Sequence, residues 1–321
     1  MSALLELKHL KKYFNTPRGL LHAVDDVNLT IEHGKTLGVV GESGCGKSTL
    51  GRVTLRLLNA TDGQVLFDGQ DVMQMKRREF AEFQRSAQII FQDPYTSLNP
   101  RMTVSEIIAE PLIANRIYSN SRDRERAIFK MMDTVGLAAR LVNTYPHELD
   151  GGRRPRIGIA RALVLNPKFV VCDEPVSALD VSIQAQILNL LMDLQRDAGF
   201  TYMFITHDLS VVKHISDEIA VMYLGCCVER GPAAEIFRNP MHPYTQALLQ
   251  AIPVPNLSRR GVKRAVIKGE VSSPIEPKPG CRFAARCPHA TPACTGEDIP
   301  LRDCGGGHYV ACRMTGAMDN N

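Results

Sequence analysis

The first stretch of this sequence that could do chemistry is rich in glycine and ends in a lysine and a serine. Residues 41–48 read GESGCGKS and fit the phosphate-loop pattern G-x-x-x-x-G-K-[ST]. Such glycines let backbone N–H groups curl around phosphate oxygens, while Lys47 can reach the β- and γ-phosphates and Ser48 can bind Mg²⁺. The residues predicted to contact a bound nucleotide here are Gly41, Ser43, Gly44, Cys45, Gly46, Lys47, Ser48 and Thr49.

Two acids follow an apolar segment further along the chain. Residues 169–174 read FVVCDE, so Asp173 and Glu174 stand at the end of a predicted buried strand. Asp173 could hold Mg²⁺ through water, and Glu174 could polarise a water for in-line attack. An acid pair at a strand end can also be a simple helix cap, but the phosphate loop upstream favours catalysis.

A histidine ends another apolar segment. Residues 205–208 read ITHD, which places His207 after a predicted strand, at the sheet edge predicted for Asp173. A lone histidine is more often structural than catalytic. At this edge, however, its neutral ring could hydrogen-bond a γ-phosphate.

The stretch HELDGGRRPR at 147–156 sets two glycines between an acid, Asp150, and several arginines. A glycine pair is typical of a turn, and arginines beside glycines indicate an anion nearby. A carboxylate in such a place is unexpected and needs an explanation.

The elements that must position these residues alternate between short apolar strands and helices. Strands are predicted at 22–32, 35–40, 65–67, 169–172, 203–206 and 219–223, and helices at 47–58, 121–135 and 182–196. The last helix has an apolar face formed by Ile183, Ile187, Leu190, Leu191 and Leu194. This alternation predicts an α/β fold with a parallel sheet covered on both faces.

Composition limits the possible functions. The chain has 321 residues and a formal net charge of +4, without Trp and without a basic tract interleaved with aromatics, so we expect no nucleic-acid partner. No apolar run reaches the ~18 residues of a membrane span, and the N-terminus does not resemble a signal peptide. The chain is therefore expected to stay in the cytoplasm and to meet the membrane only through partners.

The cysteines are concentrated at the C-terminal end. Past a Pro- and Arg-rich linker that begins near residue 252, the sequence includes Cys281, Cys287, Cys294, Cys304 and Cys312. Cytosolic cysteines clustered in this way favour a metal over disulfides. None of the gaps forms a C-x-x-C knuckle, which argues against a zinc finger, although bound zinc and free thiols remain alternatives.

The order of these motifs resembles the nucleotide-binding subunit of an ABC transporter over about residues 4–250. The resemblance adds Gln92, in IIFQDP, as a Mg²⁺ contact that senses the membrane subunit, and Asp180, in SALD, at the dimer seam. Tyr13 would stack on adenine, unless it is an ordinary strand aromatic. SLNPRMTV, HPYTQALL and the cysteine pattern CRFxxRC with HYVAC narrow the resemblance to the dipeptide/oligopeptide importer branch, which also includes nickel importers.

The resemblance implies a P-loop NTPase fold of the ABC type at 1–252, with a helical subdomain at about 93–165, and a small cysteine-rich region at 253–321. It implies ATP and Mg²⁺ as cofactors, and a [4Fe–4S] cluster on Cys281, Cys287, Cys294 and Cys312, for which Cys304 could replace one ligand. The implied partners are a second, different ATPase subunit, two membrane permeases and an extracytoplasmic binding protein. The implied place is the cytoplasmic face of the inner membrane.

In that family the LDGGR position usually reads Leu-Ser-Gly-Gly-Gln, and its Ser and Gly residues cap the γ-phosphate bound by the partner's loop. Here Asp150 replaces the Ser before Gly151 and Gly152, and Arg153 replaces the Gln. An ionised Asp150 cannot donate a hydrogen bond and would repel a γ-phosphate. Alternatively, Asp150 is only an N-cap that does little harm.

The resulting hypothesis is an ATP-hydrolysing subunit that drives peptide import. One rival is a regulatory subunit that binds ATP and barely hydrolyses it, which Asp150 favours and Glu174 and His207 disfavour. Another rival is a nickel importer ATPase. A third is a soluble ABC ATPase acting on ribosomes or DNA, but this chain has neither the second nucleotide domain nor the coiled-coil insertion usual in that class.

Overall fold

The computed structural model describes residues 2–93, 96–252 and 272–316. The chain divides into two compact units. Unit 1 comprises Met1–Ser2, Glu32–Lys35 and Gln74–Phe204, and unit 2 comprises Ala3–Ile31, Thr36–Met73 and Ile205–Asn321. The predicted linker after residue 252 lies outside the described residues, so the boundary predicted there stays a prediction.

The strands and helices follow one another along the chain. The strands are β1 (Ala3–Thr16), β2 (Gly19–Glu32), β3 (Thr36–Val40), β4 (Asp62–Phe67), β5 (Gln70–Asp71), β6 (Ala87–Ile90), β7 (Phe169–Asp173), β8 (Thr201–Thr206), β9 (Glu218–Tyr223), β10 (Cys226–Pro232), β11 (Arg302–Asp303) and β12 (Tyr309–Val310). The helices are α1 (Lys47–Thr54), α2 (Arg77–Ser86), α3 (Val104–Ala114), α4 (Ser121–Thr134), α5 (Arg153–Leu163), α6 (Val181–Ala198), α7 (Leu209–Ile215), α8 (Ala233–Arg238) and α9 (Pro243–Ala251).

Unit 1 has a core of three strands in the spatial order β8-β7-β6, and β6 and β7 are parallel. β7 is buried along its whole length, as the apolar run Phe169–Cys172 predicts. The helices α3, α4 and α5 pack on one another within the range predicted for a helical subdomain. Thr103 and Glu106 start α3 with a capping box, in which each side chain satisfies the backbone N–H of the other.

Helix α6 confirms the predicted apolar periodicity. Ile187, Leu191 and Leu194 are buried, whereas Ile183 and Leu190 are half-buried. The helix ends at Gly199, whose φ of 71° is the left-handed conformation that favours glycine.

Unit 2 contains two sheets rather than the single parallel sheet predicted. One has the order β2-β1-β4-β5 and is joined by antiparallel pairs between β1 and β4 and between β4 and β5. In the other sheet the strands of unit 2 lie in the order β11-β12-β10-β9-β3. Among these strands β3 and β9 are parallel, and the remaining neighbours are antiparallel. The predicted parallel pairing is confirmed for β3 with β9 and for β6 with β7. It was wrong for the other strands of unit 2, because hairpins add antiparallel strands, a local feature that alternation between strands and helices does not reveal.

Helix α1 is shorter than predicted. The apolar pattern predicts a helix to about Leu58, but α1 ends at Thr54. Arg56 then adopts a φ of 52°, in the left-handed region that interrupts a right-handed helix. The predicted strand at 22–32 begins earlier, at Gly19.

The C-terminal segment packs within unit 2, although its sequence shows little periodicity. β12 pairs with β10, which places Val310 opposite Glu229. Buried Glu229 accepts a hydrogen bond of 2.7 Å to its Oε1 from His308 Nε2. Phe283 is 1% exposed and meets the ring of Tyr223 edge-on at 5.3 Å between centroids. Long-range packing of single side chains, rather than a repeating pattern, therefore orders this segment.

None of the helices within residues 2–93, 96–252 and 272–316 is long and apolar enough to cross a bilayer.

Candidate functional site

The phosphate loop of unit 2 runs from β3 into α1, as predicted. Gly41 and Gly46 have φ values of 154° and 103°. A Cβ on Gly41 would lie 2.2 Å from the carbonyl oxygen of Met222, and one on Gly46 would lie 2.0 Å from that of Ala23. Both positions therefore exclude a side chain.

Lys47 is buried at the start of α1. Its Nζ donates hydrogen bonds to the carbonyl oxygens of Gly41 at 2.8 Å and Glu42 at 3.0 Å. Cys45 is also buried, and burial raises the pKa of its thiol. Ser43 and Gly44 are exposed, so this part of the loop faces solvent close to the ammonium group of Lys47, which its hydrogen bonds hold in place. This arrangement suits a bound phosphate chain.

Tyr13 lies on β1 and is half-buried. Its ring stacks on His22 with 4.0 Å between centroids. Its hydroxyl donates to Asp25, and burial and this hydrogen bond raise the pKa of Tyr13. Stacking on adenine stays a prediction, since one face of the ring is already engaged by His22.

In unit 1, Asp173 ends β7 and is 1% exposed. The next residue, Glu174, has a φ of 47°, which is unusual for a residue with a side chain. Gln92 Nε2 donates to Glu174 Oε2 at 2.9 Å. The structure therefore brings together two residues that the sequence placed far apart, the predicted catalytic carboxylate and the predicted sensor.

Asp150 precedes α5 and is exposed. Its Oδ1 accepts from the backbone N–H of Arg153 at 3.0 Å, and its Oδ2 lies 3.3 Å from Nη1 of Arg153. Of the neighbouring arginines, Arg154 donates to the carbonyl oxygens of Pro146 and His147, and Arg156 to that of Val135. Arg153 thus contacts Asp150 through both its backbone N–H and its guanidinium group.

Gly152, the second glycine after Asp150, lies close to α6 in the same unit. A Cβ on Gly152 would come within 2.7 Å of Cδ1 of Ile183. Asp180 caps α6 by accepting from the backbone N–H of Ile183 at 2.9 Å. Both Asp180 and Asp150 therefore have a structural role at a helix start, whatever further role they have at a dimer seam.

His207 is exposed in unit 2, between β8 and α7. Its neighbour Asp208 caps α7 by accepting from the backbone N–H of Ser210 at 2.7 Å. The cap places His207 at the loop end of the strand, as the sequence predicts.

Four cysteines of the C-terminal segment line one small pocket in unit 2: Cys281, Cys287, Cys294 and Cys312. Burial, together with the nearby charges of Cys294, Cys312 and Cys287, raises the pKa of the Cys281 thiol to about 11. Cys304 is exposed and is not among the residues of this pocket. In the part of the chain that the structure describes, no three potential ligands are arranged as a metal site, so the cluster is not confirmed.

Sequence reasoning missed residues that hold the site from outside the motifs. Arg286 contacts the carboxylate of Glu42, and the hydroxyl of Tyr244 accepts from the backbone N–H of Glu42 at 2.9 Å. Arg282 pairs with Asp25, the partner of Tyr13. No signal in the CRFAARC stretch indicates that its two arginines meet Glu42 and Asp25.

A model of the "ABC transporter" family matches residues 24–177, and a model described as "Oligopeptide/dipeptide transporter, C-terminal region" matches residues 228–294. Among solved structures, the chain is 28% identical to the ADP- and Pi-bound dimer of the ATP-binding cassette MJ0796, with a TM-score of 0.65 over 71% of this chain and 98% of that one. The fold and the phosphate loop define an ABC-type P-loop ATP-binding protein.

Curated relatives narrow the assignment. The chain is 51% identical over 308 residues to the oligopeptide transport ATP-binding protein OppF of Salmonella typhimurium, covering 96% of this chain and 92% of that protein. It is 49% identical over 315 residues to the dipeptide transport ATP-binding protein DppF of Escherichia coli, covering 96% and 93%. The chain belongs to the family of oligopeptide and dipeptide transport ATP-binding proteins.

The crowding at Gly46 makes a testable prediction. Gly46→Ala introduces a Cβ at a positive φ and against a carbonyl oxygen, so it should lower the thermal midpoint and weaken binding of a fluorescent ATP analogue by at least about tenfold. Gly69→Ala is the matched control, since Gly69 also has a positive φ, a Cβ there would meet no atom within 4 Å, and the residue lies outside the phosphate loop. Equal effects of the two substitutions would contradict a loop held by contact with Ala23.

Proposed function

We propose that this chain is the ATP-hydrolysing subunit that energises import of di- and oligopeptides across the cytoplasmic membrane. The observation that carries the proposal is its near-full-length identity to peptide transport ATP-binding proteins, at 51% and 49% for the two quoted relatives. These relatives are named for peptides, which favours peptide over nickel as the cargo.

The residues divide the work of binding and hydrolysis. The exposed part of the phosphate loop and the start of α1 hold the phosphates through backbone N–H groups, and Lys47 neutralises the β- and γ-phosphates. Tyr13 stacks on the adenine ring. Ser48, Gln92 and Asp173 would hold Mg²⁺, which when bound draws charge from the β- and γ-phosphates. The oxygen chemistry of these donors, with Asp173 buried at a strand end, fits a hard cation.

Hydrolysis requires a base near the attacking water. Glu174 would take the proton of that water, while its hydrogen bond from Gln92 Nε2 holds the carboxylate in one direction. His207 would donate a hydrogen bond to the γ-phosphate. Gln92 would also link the carboxylate to the membrane subunits that it senses.

A second subunit completes the machinery. The stretch from Asp150 to Gly152 would cap the nucleotide held by a second, different ATPase subunit, and Asp180 would lie at the seam between them. Two membrane permeases and an extracytoplasmic binding protein would complete the importer, and this chain would act at the cytoplasmic face of the membrane.

The ion pair of Asp150 would affect hydrolysis at one of the transporter's two ATP sites, the one formed by the phosphate loop of the second subunit and the Asp150 stretch of this chain. At ~4 Å and an effective dielectric near 20, a bare carboxylate would repel one phosphate charge by about 4 kcal/mol before screening. Arg153 reduces this repulsion, but their pair is exposed and donates no hydroxyl hydrogen bond. The site completed by Asp150 should therefore be the slower of the two.

We also propose a [4Fe–4S] cluster on Cys281, Cys287, Cys294 and Cys312. The support is that these thiols line one pocket and that neighbouring cysteine charges raise the pKa of Cys281, as expected of thiols that lie close together. Thiolates are the ligands that such clusters need, and an iron-sulfur centre would stabilise the charged form.

The proposed role of Glu174 is tested by removing its carboxylate. Glu174→Gln should retain ATP binding and lower ATP turnover of the assembled transporter by at least about a hundredfold, since general-base catalysis contributes ~10²–10⁴-fold. Glu125→Gln, an exposed change on α4, is the control. Turnover of Glu174→Gln within about twofold of wild type would exclude this role.

A further prediction concerns asymmetry. With this chain's own site silenced by Glu174→Gln, Asp150→Ser should raise residual ATP turnover of the complex about tenfold, because a hydrogen bond to a charged group is worth ~1.5–3 kcal/mol. Asp123→Ser is the matched control, since Asp123 also forms an exposed pair with an arginine three residues on. No gain would mean that Asp150 is only a helix cap.

The cluster proposal is tested by metal content. Full-length chain purified anaerobically should be brown and contain about four iron atoms per chain. Cys287→Ser should lose most of this iron, whereas Cys304→Ser, outside the pocket, should keep it. Stoichiometric zinc with negligible iron in the wild type would overturn the proposal.

A further inference from the structure

An arginine of the C-terminal segment reaches into the phosphate loop of unit 2. Nη1 and Nη2 of Arg286 lie 2.7 Å and 3.1 Å from the two carboxylate oxygens of Glu42. The side chains are 6% and 26% exposed. Nη1 also donates to the hydroxyl of Tyr223 at 3.2 Å. A bidentate ion pair that is this well shielded from solvent holds both side chains in one geometry.

Glu42 is held at its backbone as well. Its N–H donates to the hydroxyl of Tyr244 at 2.9 Å, and its carbonyl oxygen accepts from Lys47 at 3.0 Å. Glu42, which follows Gly41 in the phosphate loop, is thus held through its N–H, its carbonyl oxygen and its carboxylate. Of these, Arg286 is supplied by the cysteine-rich segment and neutralises the charge of Glu42.

The same segment reaches the other predicted end of the nucleotide site. Arg282 pairs with Asp25, and the two side chains are 10% and 16% exposed. Asp25 accepts hydrogen bonds from the hydroxyl of Tyr13 and, at 2.9 Å, from Nδ1 of His22. Two arginines four residues apart therefore fix a phosphate-loop residue and the predicted adenine partner.

The charge of Glu42 explains why Arg286 matters for binding. A carboxylate inside a phosphate-binding loop opposes an anionic ligand, and the opposition grows as the local dielectric falls. Arg286 cancels that charge and fixes the carboxylate. We propose that Arg286 is a positioning residue for ATP: it neutralises Glu42 and so sets the affinity of the phosphate loop. This inference rests on the proposed ATPase function.

The alternative is that Arg286 only anchors the C-terminal segment. An anchor would affect the thermal midpoint and leave nucleotide affinity unchanged in protein that is still folded. A positioning residue would affect affinity, and removing the charge of Glu42 would restore it. The two roles therefore differ in whether a second substitution at Glu42 rescues the first.

The experiment measures the dissociation constant of a fluorescent ATP analogue with Mg²⁺, and the thermal midpoint, on full-length anaerobically purified chain. Arg286→Ala should raise the dissociation constant about tenfold, since removing one partner of a sheltered charge pair leaves the other uncompensated. Arg286→Lys, which keeps the charge without the two-pronged geometry, should raise it about threefold. Arg286→Ala combined with Glu42→Gln should return it to within about threefold of wild type.

Arg313→Ala is the matched control. Arg313 also adjoins a cysteine of the pocket, but its partner is the exposed Glu297 at 3.4 Å, so affinity should stay within about twofold of wild type. If Arg286→Ala does not fold, Arg286→Lys and the double variant still decide. Wild-type affinity in Arg286→Ala, or a double variant no better than the single one, would overturn the inference. A wild-type chain that binds no ATP would instead overturn the proposed function.

Discussion

The phosphate loop requires space that no side chain can occupy, and the surrounding part of unit 2 is arranged around that requirement. A Cβ on Gly41 or Gly46 would meet the carbonyl oxygens of Met222 and Ala23 within 2.2 Å and 2.0 Å. Met222 belongs to β9 and Ala23 to β2, so strands of both sheets of unit 2 press on the loop. The glycines thus hold the curve in which N–H groups can face an anion.

The parts that could be predicted from the sequence are those set by local pattern. The phosphate loop, the buried strand before Asp173 and the apolar face of α6 follow from a motif or a period, because each depends on residues near in the chain. The early end of α1 at Thr54 could not be predicted, because Arg56 adopts a left-handed backbone conformation that an arginine rarely has. The antiparallel strands were not predicted either, because the alternation of strands and helices along the chain does not show which strands pair with one another.

Contacts between distant residues were also out of reach. Arg286 and Glu42 are separated by 244 positions in the sequence, and nothing in CRFAARC shows which acid its arginines meet. The hydrogen bond between Gln92 and Glu174 was not foreseen either, although both residues were assigned to the site. The motifs therefore predicted which groups react, whereas the side chains that contact those groups became visible only in the fold.

Glu42 in the phosphate loop and Asp150 in the stretch proposed to cap a partner's nucleotide are each paired with an arginine, but in different surroundings. Glu42 meets Arg286, which is 6% exposed, whereas Asp150 meets Arg153 in a pair exposed by 59% and 45%. Salt screens exposed charges far more than sheltered ones, and exposed pairs contribute about 0–1 kcal/mol. The compensation at Glu42 is therefore built into the structure, while that at Asp150 weakens with ionic strength. Whatever asymmetry Asp150 causes should depend on salt, whereas the loop's own compensation should not.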